Sequence, residues 1–241
     1  MIGSIRLAAR LAAMLVALLL GLVLHGTWRV LRLSSPWPRH FLGTVARIAG
    51  ARPTLIGTPL RRKAFFVANH QSWLDILLLA GATGTAFVAK GELAHVPLVG
   101  WLCRLNYTIF VDRADRGAIA AQVADVRAAL ESGWSVAIFP EGTTGDGAGL
   151  LPFKAPLLSA LEPPPPRVRV QPVWIDYGAA TSDIAWVGEE HGLANVLRIL
   201  RRPGGIPVTL HLLAPFDPAA VGNRKAIAAE ARARIEAAMA G

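Results

Sequence analysis

Two short runs of this sequence pass from apolar, strand-like residues straight into polar ones that could move a proton. Phe65-Phe66-Val67-Ala68 leads into Asn69-His70-Gln71-Ser72-Trp73-Leu74-Asp75, and Val136-Ala137-Ile138-Phe139 leads into Pro140-Glu141-Gly142-Thr143-Thr144. In the first run a strand end would bring the His70 imidazole to the rim of a sheet. Ser72 would cap the following helix, and Asp75 would sit one turn in, on a surface facing back to the ring. A carboxylate bonded to one imidazole nitrogen fixes the tautomer and leaves the other nitrogen as a general base. That is the His-Asp half of a triad with no protein nucleophile, so the attacking group would be a hydroxyl of the substrate. The plain alternative is a helix-capping Asp beside a surface His.

The second run brings proline, glycine and free backbone donors, a loop type that can hold a phosphate or another headgroup. Glu141 would accept from substrate hydroxyls or brace the site, and Lys154 in Pro152-Phe153-Lys154 adds a cation. A serine hydrolase is disfavoured because there is no Gly-x-Ser-x-Gly elbow. Cys103, the single cysteine, lies in an apolar helical run that suits a structural thiol better than a nucleophile. It excludes an internal disulfide, and no Cys/His spacing suggests a metal site, so no metal is expected.

These residues need a scaffold, and the apolar patterning supplies one. Strands are expected at 55–56, 64–68, 86–89, 108–111, 135–139, 168–175 and 208–213. Helices are expected at 73–79, 99–105, 116–132, 157–161, 191–200 and 218–240, the last opening with Asp217-Pro218. Strand-helix alternation over residues 51–241 predicts a single α/β domain, with a largely parallel or mixed sheet flanked by helices and the site at strand C-termini.

Residues 1–50 read differently. Leu11 to Leu24 carries no charge and, as a helix, covers roughly 21 Å, short of the roughly 30 Å hydrocarbon core. Flanking residues could extend it to a marginal span, or it could re-enter. Without a small-x-small cleavage site after Leu24, a retained anchor is expected over a signal peptide. Arg39 to Gly50 has helical apolar spacing, which suits an interfacial helix with Trp37 at headgroup depth or a helix packed on the core. All ten Lys and Arg residues before Asp75 lie there or just beyond, with no Asp or Glu among them, so this stretch dominates the net charge of +9. Bases beside the most apolar segment point to an anionic lipid surface rather than nucleic acid, each adding roughly 1 kcal/mol of attraction. A non-catalytic membrane-surface protein would account for this charge but not for the His-Asp and Pro-Glu-Gly runs.

Four blocks, in order over about residues 50 to 178, resemble the glycerolipid acyltransferases typified by bacterial 1-acylglycerol-3-phosphate acyltransferase. His70 to Asp75 is similar to the catalytic block. Lys90-Gly91-Glu92-Leu93 with Pro97, Gly100 and Phe110-Val111-Asp112-Arg113 is similar to the second, Phe139 to Thr143 to the third, and Val170-Gln171-Pro172-Val173 to the fourth. Asn106 and Ala155 stand where glycine is common. The resemblance implies direct acyl transfer from acyl-CoA or acyl-ACP, with no bound cofactor. His70, oriented by Asp75, would deprotonate the acceptor hydroxyl, and backbone amides opening the Trp73 helix or near Asn69 would hold the oxyanion. Arg113, Glu141, Gly142 and Thr143, with Lys90 and Lys154, would hold the acceptor head, although Arg113 could instead pair with Asp112 or Asp115. The implied acceptor is a membrane lysophospholipid, 1-acyl-glycerol-3-phosphate, acylated at its sn-2 hydroxyl to phosphatidic acid at the cytoplasmic face of the inner membrane. A lyso-ornithine lipid or another lysolipid is the alternative acceptor.

Overall fold

A computed structural model describes residues 2–106, 108–111 and 118–241, with the backbone alone at residues 89, 90, 92, 93, 111 and 118. The chain opens with helices α1 (Ile2–Val30) and α2 (Trp37–Ile48), then strands β1 (Ala51–Ile56) and β2 (Ala64–Ala68). It continues through α3 (Trp73–Thr83), β3 (Ala86–Lys90), α4 (Val99–Leu105), β4 (Ile109–Val111), α5 (Ala118–Glu131) and β5 (Val136–Ile138). The remainder is β6 (Arg169–Asp176), α6 (Thr181–Ile184), α7 (Gly192–Arg201), β7 (Ile206–Leu212), α8 (Pro218–Val221) and α9 (Arg224–Ala240).

The strands form one seven-stranded mixed sheet in the order β1-β7-β6-β2-β5-β3-β4. Pairing is parallel throughout except between β6 and β7. Strand β2 lies at the centre and is buried on both faces. Ala64, Phe66 and Ala68 join the core under α2, α3 and α7, while Phe65 and Val67 join the core under α5 and α9. Burial on both faces is why a central parallel strand reads as an unbroken apolar run.

Three expectations shift. Strand β1 begins at Ala51, four residues before the expected start, because Arg52 and Pro53 obscure it; the edge position tolerates the proline. The expected 157–161 helix is a 3-10 turn over Pro156–Leu161. The expected 218–240 helix is two, broken at Gly222 (φ +111°), after which Asn223 caps α9 by accepting from the amides of Lys225 and Ala226.

The N-terminal pair packs onto the sheet domain more firmly than its composition suggested. Helix α1 runs for 29 residues, about 43 Å at helical rise, so the 14-residue apolar stretch is only its middle. Arg6 donates to the Arg201 carbonyl (2.7 Å), and Arg10 to those of Ile199 and Leu200 (3.1 and 3.0 Å). These bases, read from sequence as lipid contacts, thus cap the C-terminus of α7. Helix α2 takes the core-packing alternative. Arg39 donates to the Gly81 and Ala82 carbonyls (3.0 and 2.8 Å), and Gly43 meets Gly81 so closely that a Cβ on Gly81 would lie 2.6 Å from the Gly43 Cα. Helix α1 still leaves Leu11, Leu15, Val16, Leu19, Leu20 and Val23 exposed, each by 48% or more.

Candidate active site

The central strands end at one rim of the sheet, and the polar runs leave from there. In β2 the last core residue is Ala68. Asn69 follows and clamps β6, its amide donating to the Ile175 carbonyl (3.0 Å) and its oxygen accepting from the Ile175 amide (2.7 Å). His70 is therefore presented by a fixed strand end. Ser72 then opens α3 with a capping box whose returning acid is Asp75.

Asp75 is fully buried and accepts four hydrogen bonds. Its Oδ2 takes the amides of Gln71 (2.6 Å) and Ser72 (2.8 Å) and the His70 Nδ1 (2.9 Å); its Oδ1 takes the Tyr177 hydroxyl (2.6 Å). A carboxylate only accepts, so Nδ1 carries the imidazole proton and Nε2 is left with its lone pair. Among the described residues Nε2 has no hydrogen-bond partner, and the His70 side chain is 17% exposed. The ring lies flat on Phe139, centroids 4.1 Å apart and planes 15° apart, which fixes its tilt.

Glu141 sits behind this pair. It is 3% exposed, with Oε1 accepting the His70 amide and Oε2 the Leu151 amide, both at 3.0 Å. Burial pushes its carboxyl above the usual range, partly offset by those two amides. Of the two roles weighed from sequence, its contacts are those of a brace, since both oxygens face backbone. Gly142 has φ +76°, and a Cβ there would lie 3.0 Å from the Lys154 Nζ, so glycine leaves room for the lysine. Lys154 and Thr143 are exposed at this mouth. Strand β3 ends at Lys90, whose side chain lies outside the described residues, as does the whole of Arg113.

Trp186 ties three loops around the site. Its amide donates to the Gln71 carbonyl (2.9 Å), its indole to the Glu190 carbonyl (2.6 Å), and its own carbonyl accepts from the Thr144 hydroxyl. Arg198 grips Glu190 with two nitrogens (2.9 and 2.8 Å) and holds that carboxyl down to about 2. The Gly145 amide in turn donates to the His70 carbonyl (2.8 Å).

Two sequence readings change. The amides opening α3, proposed as oxyanion donors, are largely committed, Gln71 and Ser72 to Asp75 and Leu74 to the Ser72 hydroxyl. Tyr177 was missed altogether. It lies 102 residues beyond Asp75, and only the pairing of β2 with β6, Ala68 opposite Val173, brings the two strand ends together. What the arrangement can do is accept a proton at a nitrogen of a partly exposed ring whose opposite edge is locked to a buried carboxylate.

The Acyltransferase family model matches residues 52–176. A lyso-ornithine lipid O-acyltransferase of Brucella abortus is 34% identical over 230 residues, covering 86% of this chain and 84% of its own. One of Rhodobacter capsulatus is 33% identical over 257 residues, covering 99% and 92%. A 1-acyl-sn-glycerol-3-phosphate acyltransferase of Neisseria gonorrhoeae is 39% identical, over 39% of this chain and 36% of its own. The fold is similar to the crystal structure of a 1-acyl-sn-glycerophosphate acyltransferase from Thermotoga maritima, with TM-score 0.63, 24% identity and 98% of each chain covered.

Proposed function

This chain belongs to the acyltransferase family and is a lipid acyltransferase, and from that premise we propose that it moves a fatty acyl group from a thioester to the hydroxyl of a lyso-ornithine lipid. One observation carries the mechanism: His70 Nδ1 is 2.9 Å from a buried Asp75 oxygen while Nε2 stands free at the sheet rim. Nε2 takes the proton of the acceptor hydroxyl as its oxygen attacks the thioester carbonyl. The tetrahedral intermediate then expels the thiolate, which recovers the proton from the imidazolium. Asp75 stabilises the positive ring between these steps without itself being protonated.

The relatives support this acceptor. Four relatives that are 33–34% identical over 82–99% of this chain are lyso-ornithine lipid O-acyltransferases. The Neisseria 1-acyl-sn-glycerol-3-phosphate acyltransferase aligns over little more than a third of the chain, and the Thermotoga enzyme that spans 98% of it is only 24% identical. Lysophosphatidic acid is the second reading, favoured by the cation Lys154 beside Gly142 and by Arg113 in the sequence. The donor is acyl-ACP or acyl-CoA, with no metal or bound cofactor required by the steps above. The exposed apolar stripe of α1 supports attachment to a membrane, and the basic N-terminal stretch supports its cytoplasmic, anionic face.

The test is a competition. Purified enzyme given equal lyso-ornithine lipid and lysophosphatidic acid, with one labelled thioester, should label ornithine lipid at least about tenfold faster. Preferential labelling of phosphatidic acid would restore the glycerophosphate reading.

A further inference from the structure

Most of the donors to the Asp75 carboxylate fall on one oxygen. Oδ2 takes two amides and the His70 ring; Oδ1 has, among the described residues, the Tyr177 hydroxyl alone, at 2.6 Å. Tyr177 is 1% exposed and packed in the core beneath α3, so its hydroxyl has no route to solvent. A buried carboxylate short of donors is costly, and a charge-assisted hydrogen bond at this length is among the stronger ones a protein makes.

We infer that Tyr177 is a positioning residue of the acyl-transfer site, whose hydroxyl holds Oδ1 of Asp75 and so sets how strongly that carboxylate grips the His70 imidazole. This rests on the reading of His70 as the base. With Oδ1 held, the carboxylate plane cannot turn, and its Oδ2 stays on Nδ1. The hydroxyl also draws off part of the carboxylate's negative charge, so less of it is turned on the imidazolium that forms during transfer. Burial and the neighbouring Asp75 charge push the phenol well above its ordinary value, which keeps it a donor over the working range. Among the described residues the other titratable groups around Asp75 are His70 and Glu141. Glu141 faces the His70 amide rather than Oδ1.

Tyr177→Phe keeps the packing and removes only the hydroxyl. It should lower kcat about tenfold with both Michaelis constants within about twofold of wild type. The acidic limb of the kcat profile should move up by about half to one pH unit, because a carboxylate with one donor fewer holds the imidazolium more tightly. The chain has two tyrosines, so 3-fluorotyrosine in a Tyr107→Phe background reports on Tyr177 alone. It makes the phenol a stronger donor, and the limb should move down, a shift that can be read even if Tyr177→Phe does not fold. Limbs that stay where wild type has them, or move the other way, overturn the inference. His70→Ala is run beside them. If it is inactive while the Tyr177 variants behave as wild type, only the role of Tyr177 fails; if it stays active, the His70 reading fails too.

Discussion

Two glycines face each other where α2 crosses α3, and their Ala variants should move stability in opposite directions. A Cβ on Gly81 would lie 2.6 Å from the Gly43 Cα and 3.0 Å from its nitrogen, both backbone atoms that no rotamer change can move aside. Forcing a methyl into such a contact costs about 1–3 kcal/mol. The gain in helix propensity for Gly→Ala is at most about 1 kcal/mol, and less in the last turn where Gly81 sits. Gly81→Ala should therefore lose about 1–2 kcal/mol, or about 3–6 °C in melting midpoint for a chain of this size. A Cβ on Gly43 meets only ordinary contacts, the Gly81 Cα at 3.4 Å and an Arg47 nitrogen at 3.6 Å. There the propensity gain should win, and Gly43→Ala should melt about 2–3 °C higher. Tryptophan-fluorescence melts of both variants in one detergent give the answer. A Gly81→Ala protein that melts at or above wild type would falsify the claim that α2 is seated backbone-to-backbone on the helix that carries Asp75.

Asp75→Asn should fold, because its carbonyl oxygen can still accept the Gln71 and Ser72 amides, yet lower kcat at least about a hundredfold because that neutral oxygen no longer stabilises the His70 imidazolium by charge, as single-turnover assays would register. Glu141 has a carboxyl raised by burial, so its stabilising contribution is complete below the ordinary value of 4.5 and is lost as pH rises through the higher folded value. Urea midpoints from pH 4 to 8 should show Glu141→Gln gaining on wild type as pH rises, and parallel curves would contradict this. Leu15→Glu with Leu19→Glu, both on the exposed face of α1, should shift the protein from the membrane pellet to the supernatant while leaving its melt unchanged. Arg10→Met removes two caps on the C-terminus of α7 and should cost about 1–2 kcal/mol, read from the same melts.

Much of the scaffold was legible because of how it is buried. Strands β2 and β5 are covered on both faces and read as apolar runs, and the polar residues that leave them are the site itself. Ser72 and Asp75 were legible because a helix start has its own local chemistry. What escaped depends on distant pairing. The edge strand β1 was half hidden by Arg52 and Pro53, since nothing nearby in sequence reveals that β7 lies beside it. Arg6 and Arg10 looked like lipid contacts because their true partners, the last carbonyls of α7, are about 190 residues away. Tyr177 carried no local signal at all. Its hydroxyl matters only because β2 and β6 are neighbours in register, which a single sequence does not reveal.

The central claim is that His70 takes the proton from the acceptor hydroxyl. Single-turnover acyl transfer by purified His70→Ala, with folding checked by the same fluorescence melt, tests it most directly. The rate should fall at least about a hundredfold at saturating acceptor, with the melting midpoint within a few degrees of wild type. A folded His70→Ala enzyme that transfers acyl groups at near the wild-type rate contradicts the account.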